Sequence, residues 1–386
     1  MRTAERMRRE LADLERRSQL RSLEVAPDLD FSSNDYIGLS VDPRLKQAVS
    51  AALAGDESAA ATGSRLLSGH SERWTELESD FAQWIGAEAA LFFTSGYLAN
   101  VGLLAAVLSS EDTVFSDSAN HASLIDGIRL SRARRVVFPH GDLNFLEDAL
   151  RGDSARGARF IVVESVFSMD GDRAPLAELV ALAERHGAEL VVDEAHAIGV
   201  LGPGGRGAVV EAGLASRAFA TICPCGKALA ASGAFICGSE TLRQFLINRV
   251  RTFIFSTALP PYFAAHVRAG WELAAQADVA RVTLAANARL LRGELRARDF
   301  NLLGSESQIV PVVLGENEKA VAAAEQLRAA GFGVRAIRPP TVPAGTARLR
   351  ISVTARHTQA ELRELAVAIE AASHARASFA RGQAAR

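Results

Sequence analysis

Short apolar runs recur along the middle of the chain: AALFF (89–93), DTVFS (112–116), RRVVF (134–138), RFIVVE (159–164), ELVVD (189–193), FATIC (219–223) and GAFIC (233–237). Each has strand length and is rich in aromatic and β-branched residues, and stretches with helical spacing separate most of them. One such stretch is Pro175 to His186, where the proline suits a first-turn position. Alternating strands and helices predict an α/β fold with a mainly parallel central sheet covered on both faces. After Pro260 and Pro261 a helical pattern runs over 262–297. Beyond it the order reads β-α-β-β-α, through QIVPVVL, EKAVAAAEQLRAA, GVRAI, ARLRISV and a final helix, which describes a smaller C-terminal α+β domain. The first residues, MRTAERMRRELADLERR, read as an exposed, charged helix. The expected organisation is a helical arm (1–41), a large domain (42–277) and a small C-terminal domain (278–386).

Residues 89–108 carry no charge, but Thr94, Ser95, Gly96 and Asn100 interrupt them. A strand, a turn and a buried helix explain the run better than a membrane span. The N-terminus lacks the apolar core of a secretory signal. With 48% apolar and 23% charged residues, the chain can bury a large core, and a formal net charge of −2 gives no basic surface for nucleic acid or membrane. The three cysteines, Cys223, Cys225 and Cys237, are an odd number, which fits a reducing, cytoplasmic setting. Cys223 and Cys225 form a C-x-C pair with no second ligand pair nearby, so no metal site is expected.

The strongest local signal is ELVVDEAHAIGVLG. An apolar strand ends at Asp193, and ligands of parallel sheets bind beyond the carboxyl ends of strands. DEAH after a strand also marks helicase-type ATPases, but those need G-x-x-x-x-G-K-[ST] upstream. The one Gly-Lys here, Gly226-Lys227, lies downstream, is followed by Ala228, and has Thr221 where the first glycine belongs. Lys227 follows Asp193 by 227 − 193 = 34 residues, after another strand, among small and apolar residues. There an ammonium has a lowered pKa or is consumed as a Schiff base. An acid at one strand end and a lysine after the next suit pyridoxal phosphate: the acid keeps the pyridine nitrogen protonated and the lysine holds the aldehyde. TSGYLAN (94–100) would receive the phosphate, since Gly96 allows close approach and a helix N-terminus offers free N–H groups.

These residues resemble the α-oxoamine synthases, a family of pyridoxal-phosphate enzymes. The resemblance covers residues 28–370 through FSSNDYIGLS (31–40), GSRLLSGH (63–70), NHASLIDGIRLS (120–131), ESVFSMDGDRAPL (164–176), DEAHAIGVLGPGGRG (193–207), FIFSTALPP (253–261) and IRPPTVPAGTARLR (337–350). It implies an aspartate-aminotransferase-like (fold type I) homodimer with active sites at the subunit interface. It implies that Lys227, Asp193 and His121 are catalytic, with His121 stacking on the ring. Ser168 would line the cofactor site and His196 would contact the ring hydroxyl. Ser95, Gly96 and Tyr97 would form the phosphate turn, and Thr257 would reach the phosphate of the partner subunit. Asn34 and Arg338 would lie near the substrate carboxylate, with Arg350 as a second candidate in a strand that suits a structural arginine equally well. Arg21 would lie near the acyl substrate.

The chain departs from the family pattern at three places. Pro224 replaces a Thr or Ser phosphate ligand three residues before the lysine. Ala197 replaces the glycine after the DEAH histidine, and Ala230 a glycine three residues after the lysine. Within the family, the segment 337–350 favours the branch that condenses L-alanine with a pimeloyl thioester on coenzyme A or acyl carrier protein. A glycine-using synthase with a short acyl thioester, an aminotransferase and a non-catalytic paralogue are the competing readings.

Overall fold

The computed structural model describes residues 3–374, apart from residues 57 and 155. The chain folds into two compact units. One comprises Asp35–Ser168 and Arg173–Val282; the other gathers the segment up to Asn34, Met169–Asp172 and the chain from Thr283 onwards.

The larger unit is built on a seven-stranded sheet. Its hydrogen-bonded order is Ala89–Phe93, Ala234–Gly238, Ala220–Pro224, Ala188–Asp193, Arg159–Glu164, Thr113–Asp117 and Arg134–Phe138. Pairing is parallel from Ala220–Pro224 through to Arg134–Phe138, and Ala234–Gly238 runs antiparallel to both of its neighbours. The expected mainly parallel sheet is therefore present, with one reversed strand. Interior strands are buried along nearly their whole length, as near-continuous apolar runs require. The edge strand Arg134–Phe138 begins with two exposed arginines, which blunt its open edge. The helix Gly96–Val107 is apolar on nearly every side and contributes Ala99, Leu103 and Leu104 to the core around Leu91, Val162, Val191 and Ile222. No helix among the described residues is long and apolar enough to cross a membrane.

The helical pattern over 262–297 resolves into two helices, Tyr262–Ala275 and Asp278–Arg296. The break at Gln276 and Ala277 is held by the Arg281 guanidinium, which donates to the carbonyls of Ala274 and Ala275 and to Asp278. Those last-turn carbonyls need a partner outside the helix, and an arginine from the next helix is invisible to a periodicity argument.

In the smaller unit, Ile309–Gly315, Ala347–Ser352 and Arg335–Ile337 form a three-stranded antiparallel sheet, with the helices Asn317–Ala329 and Gln359–His374 beside it in sequence. Leu29–Asp30 pairs in parallel with Phe332–Gly333, tying the N-terminal segment to this unit. The first helix, Thr3–Arg16, buries no residue, in keeping with its charged sequence.

Candidate active site

The carboxyl ends of five strands of the large sheet carry the side chains that surround a cavity of about 300 Å³. Its lining includes Ser95 and Gly96 after Ala89–Phe93, and His121 after Thr113–Asp117. Glu164 and Asp193 end the two central strands, and Pro224 and Lys227 follow from Ala220–Pro224. This is the position that a parallel sheet reserves for ligands.

Asp193 is buried and held on both oxygens: Ala195 N–H donates to Oδ1 at 2.8 Å and the Asn100 amide to Oδ2 at 2.6 Å. Asn100 also donates to Ser123 Oγ at 2.9 Å. These donors on both oxygens fix the orientation of the Asp193 carboxyl in the cavity wall. The adjacent Glu194 turns away and does not line the cavity. Its oxygens accept from Ala208 N–H at 2.9 Å and Val209 N–H at 2.7 Å, and burial pushes its pKa up to about 7. The second acid of DEAH thus pins a backbone turn, which accounts for the motif without nucleotide chemistry.

His121 caps the helix Ala122–Ser131, with its Nδ1 accepting from Ser123 N–H at 3.2 Å. That contact leaves the ring proton on Nε2. His121 is exposed as a residue, yet desolvation by the protein around it lowers its pKa; Asp193 opposes this and Lys227 adds to it. The neighbouring Asn120 fixes the start of this segment by donating to Val162 O at 2.7 Å. His196 is buried, with Nδ1 2.6 Å from the Tyr36 hydroxyl. Lys227 is half-buried in the loop 225–233, which is closed by Cys225 N–H to Gly233 O at 2.8 Å and Ala231 N–H to Cys225 O at 3.0 Å.

At the opposite end, Ser95 caps Gly96–Val107 by accepting from Leu98 N–H at 3.2 Å. Gly96 lies against the Pro224 ring: a Cβ at Gly96 would meet it at 3.1 Å. Tyr97 lines the cavity and donates its hydroxyl to Asp126. Thr94 and Ser232 also line it, and their hydroxyls make no hydrogen bond to the described residues. Two of the expected cofactor residues lie outside this lining. Ser168 is buried, its N–H donating to Glu164 Oε2 at 3.2 Å, and Thr257 bridges to Ser64.

The residues expected to meet substrate all belong to the smaller unit. Asn34 Oδ1 accepts from both terminal nitrogens of Arg350 at 3.3 Å, and Arg350 is buried. Arg338 instead donates to Ser18 O at 2.7 Å, and Arg21 to Thr341 Oγ1 at 3.2 Å. Desolvation and the nearby Arg21 charge lower the Arg338 pKa. The partner of Asn34 is therefore Arg350, and the strand context that suggests a structural arginine also buries its guanidinium beside a polar amide.

These charges and donors fit a flat, phosphate-bearing pyridine. There is a carboxylate for the ring nitrogen, an amine in a small loop, a neutral imidazole, and a helix N-terminus free of side-chain bulk. Residues 26–369 match the family model for aminotransferase class I and II. The 8-amino-7-oxononanoate synthase of Burkholderia thailandensis is 46% identical over 370 residues, covering 94% of this chain and 93% of that one. The synthase of the same name from Aromatoleum aromaticum is 48% identical over 341 residues, 88% of each chain. The chain belongs to the α-oxoamine synthase family. Among solved structures, serine palmitoyltransferase from S. paucimobilis with bound PLP-myriocin superposes with a TM-score of 0.87 at 30% identity, covering 95% of this chain and 96% of that one.

Three family-site neighbours escape a reading of motifs alone. Asn100 left a trace, as the one amide in the uncharged run 89–108. Tyr36 and Glu164 lie inside resembling segments, FSSNDYIGLS and ESVFSMDGDRAPL, but only the sheet register and the Tyr36–His196 contact give them a place.

Proposed function

We propose that this enzyme condenses L-alanine with a pimeloyl thioester, releasing carbon dioxide and free thiol, to give 8-amino-7-oxononanoate, a step of biotin synthesis. The carrying observation is the cavity onto which Lys227, Asp193, His121, His196 and the Ser95–Gly96 turn converge. The identity of 46–48% to synthases of that name supports the choice of substrates.

Bound pyridoxal phosphate supplies a protonated aromatic ring that accepts the electron pair left at the alanine Cα when its proton departs. Asp193 keeps the ring nitrogen protonated and the Asn100 amide keeps Asp193 ionised and oriented. Lys227 Nζ would hold the aldehyde group and, as a free amine, would serve as the base for the Cα proton. His121 supports the ring face as a neutral imidazole, and His196, steadied by Tyr36, meets the ring hydroxyl. The free N–H groups at the start of Gly96–Val107 hold the phosphate. Arg350, already aligned by the Asn34 amide and by Ser352 Oγ at 2.8 Å, is a prepared donor for a carboxylate. In this reading the enzyme is a homodimer, and Thr257 serves the phosphate of the second copy. The exposed apolar side chains Leu66, Leu67 and Phe255, close in the chain to the Ser64–Thr257 bridge, suit a covered face.

Mass spectrometry of products from a panel of amino acids and acyl thioesters tests the reading. Alanine with pimeloyl-CoA should give the oxononanoate. A larger yield from glycine with acetyl- or succinyl-CoA, or from serine, would move the chain to another branch, and amino transfer to a keto acid would mark an aminotransferase. Lys227→Ala should reduce turnover to background and abolish borohydride trapping of the cofactor. The chain has two other lysines, Lys46 and Lys319, and both are exposed on helices. Trapping that persists in the variant would refute the assignment.

A further inference from the structure

Glu164 and Asp193 end neighbouring parallel strands and are register partners, so their side chains leave the same face of the sheet, and both line the cavity. Their surroundings differ. Asp193 receives donors on both oxygens. Glu164 is 2% exposed; Ser168 N–H serves Oε2 at 3.2 Å, while Oε1 is shut away from solvent with no hydrogen-bond partner among the described residues. Two carboxyls this close cannot both ionise cheaply, and the charge settles where the donors are. The proton therefore resides on Glu164, on Oε1, which accepts no hydrogen bond from the described residues.

The groups around it agree. Burial is the largest influence and the Asp193 charge the next, and together they push the Glu164 pKa up to about 8. Lys227 and the backbone amides of His121 and Ser168 pull the other way. On the far flanking strand, Asp117 is taken up by His140 Nδ1 at 2.9 Å and by the N–H groups of Ala119 and Gly141.

We propose that Glu164 is a positioning residue kept as a neutral carboxylic acid, whose Oε1–H donates a hydrogen bond to the ring of bound pyridoxal phosphate and leaves Asp193 as the anion facing that ring. The ligand in this statement rests on the cofactor reading above; the protonation state does not. A donor at this wall steadies the ring, whereas a second carboxylate would overstabilise the pyridinium and repel the substrate carboxylate.

The first test uses the full-length protein without cofactor. Infrared difference spectra of wild type and Glu164→Gln, at about pH 6 and about pH 10, should show a buried carboxylic-acid carbonyl band that titrates near pH 8 and is missing in the variant. The comparison separates it from Glu194, another buried acid with a raised pKa, which both proteins keep. Because the folded pKa lies above the ordinary glutamate value of 4.5, stability should fall as pH rises from about 4.5 to about 8, and Glu164→Gln should flatten that slope. In the second test, Glu164→Gln, which keeps a neutral donor, should bind pyridoxal phosphate within about twofold of wild type, and Glu164→Leu about tenfold more weakly. Wild type should lose affinity above pH 8 relative to Glu164→Gln. An absent acid band at neutral pH, or a glutamine variant as impaired as the leucine variant, would overturn the proposal. Failure of wild type to bind the cofactor at all would instead sink the cofactor reading and leave the acid band standing.

Discussion

At the Asp193 end of the cavity, side chains hold one another through buried hydrogen bonds: Ser123 with Asn100, Asn100 with Asp193, Tyr36 with His196. At the Ser95–Gly96 end, the chain offers backbone N–H groups, a proline ring and hydroxyls with no partner among the described residues. The hydrogen-bonded pairs of the first end are set before any ligand arrives, because each side chain holds its neighbour. The second is a cradle that gains its order from the anion it receives. Ring chemistry demands strict charge placement and so a wired wall; phosphate binding needs many weak donors and tolerates substitution, which is how a proline can stand at position 224.

The contrast predicts large effects at the wired end. If Asp193 keeps the ring nitrogen protonated as proposed, Asp193→Asn should lower kcat by at least about 10²-fold while cofactor still binds. Steady-state rates near wild type would place the ring elsewhere. Asn100→Leu, similar in volume, leaves Oδ2 of Asp193 without its side-chain donor. A hydrogen bond to a charged group is worth about 1.5–3 kcal/mol, so kcat or cofactor affinity should fall by about tenfold or more. Unchanged values would mean that Asp193 needs no amide to stay ionised.

At the cradle the effects should be smaller. Pro224→Thr introduces a hydroxyl where proline has neither that group nor an N–H. It should tighten cofactor binding by up to about tenfold with little change in kcat, as measured by equilibrium titration. Equal or weaker binding would show that Thr94, Ser232 or an ordered water already does this work. The smallest effect concerns the loop that carries the lysine. Ala230 has φ of 48°, a left-handed conformation that costs an L-residue about 1–2 kcal/mol and glycine nothing. Ala230→Gly should stabilise the protein by about 1 kcal/mol in chemical denaturation. Loss of stability would mean that the Ala230 methyl contributes packing that outweighs the strain.

The strands were legible because buried parallel strands are apolar from end to end: RRVVF and RFIVVE match Arg134–Phe138 and Arg159–Glu164 to the residue. The ends Asp193 and Lys227 were legible because polar groups interrupt apolar surroundings there. Less legible were relations that periodicity does not encode. That Asn34 meets the guanidinium of Arg350 and not that of Arg338 is one such relation, and the split of the helical pattern after Ala275, which turns on a side chain from the next helix, is another. Of the departures from the family pattern, Ala230 marks a strained backbone position, whereas Ala197 does not fall among the residues with positive φ.

The place of Ala89–Phe93 in the sheet has a consequence for biosynthesis. Its strand partner is Ala234–Gly238, so this segment leaves the ribosome well over a hundred residues before the strand that pairs with it. Until then AALFF is an unpaired apolar strand, the kind of exposed edge that recruits other chains. The Ser95–Gly96 turn directly after it cannot meet Pro224 and Lys227 during that interval. Cofactor capture is thus tied to late, long-range closure of the sheet, and a nascent or truncated chain that ends before residue 234 would be both unable to hold the cofactor and prone to aggregate.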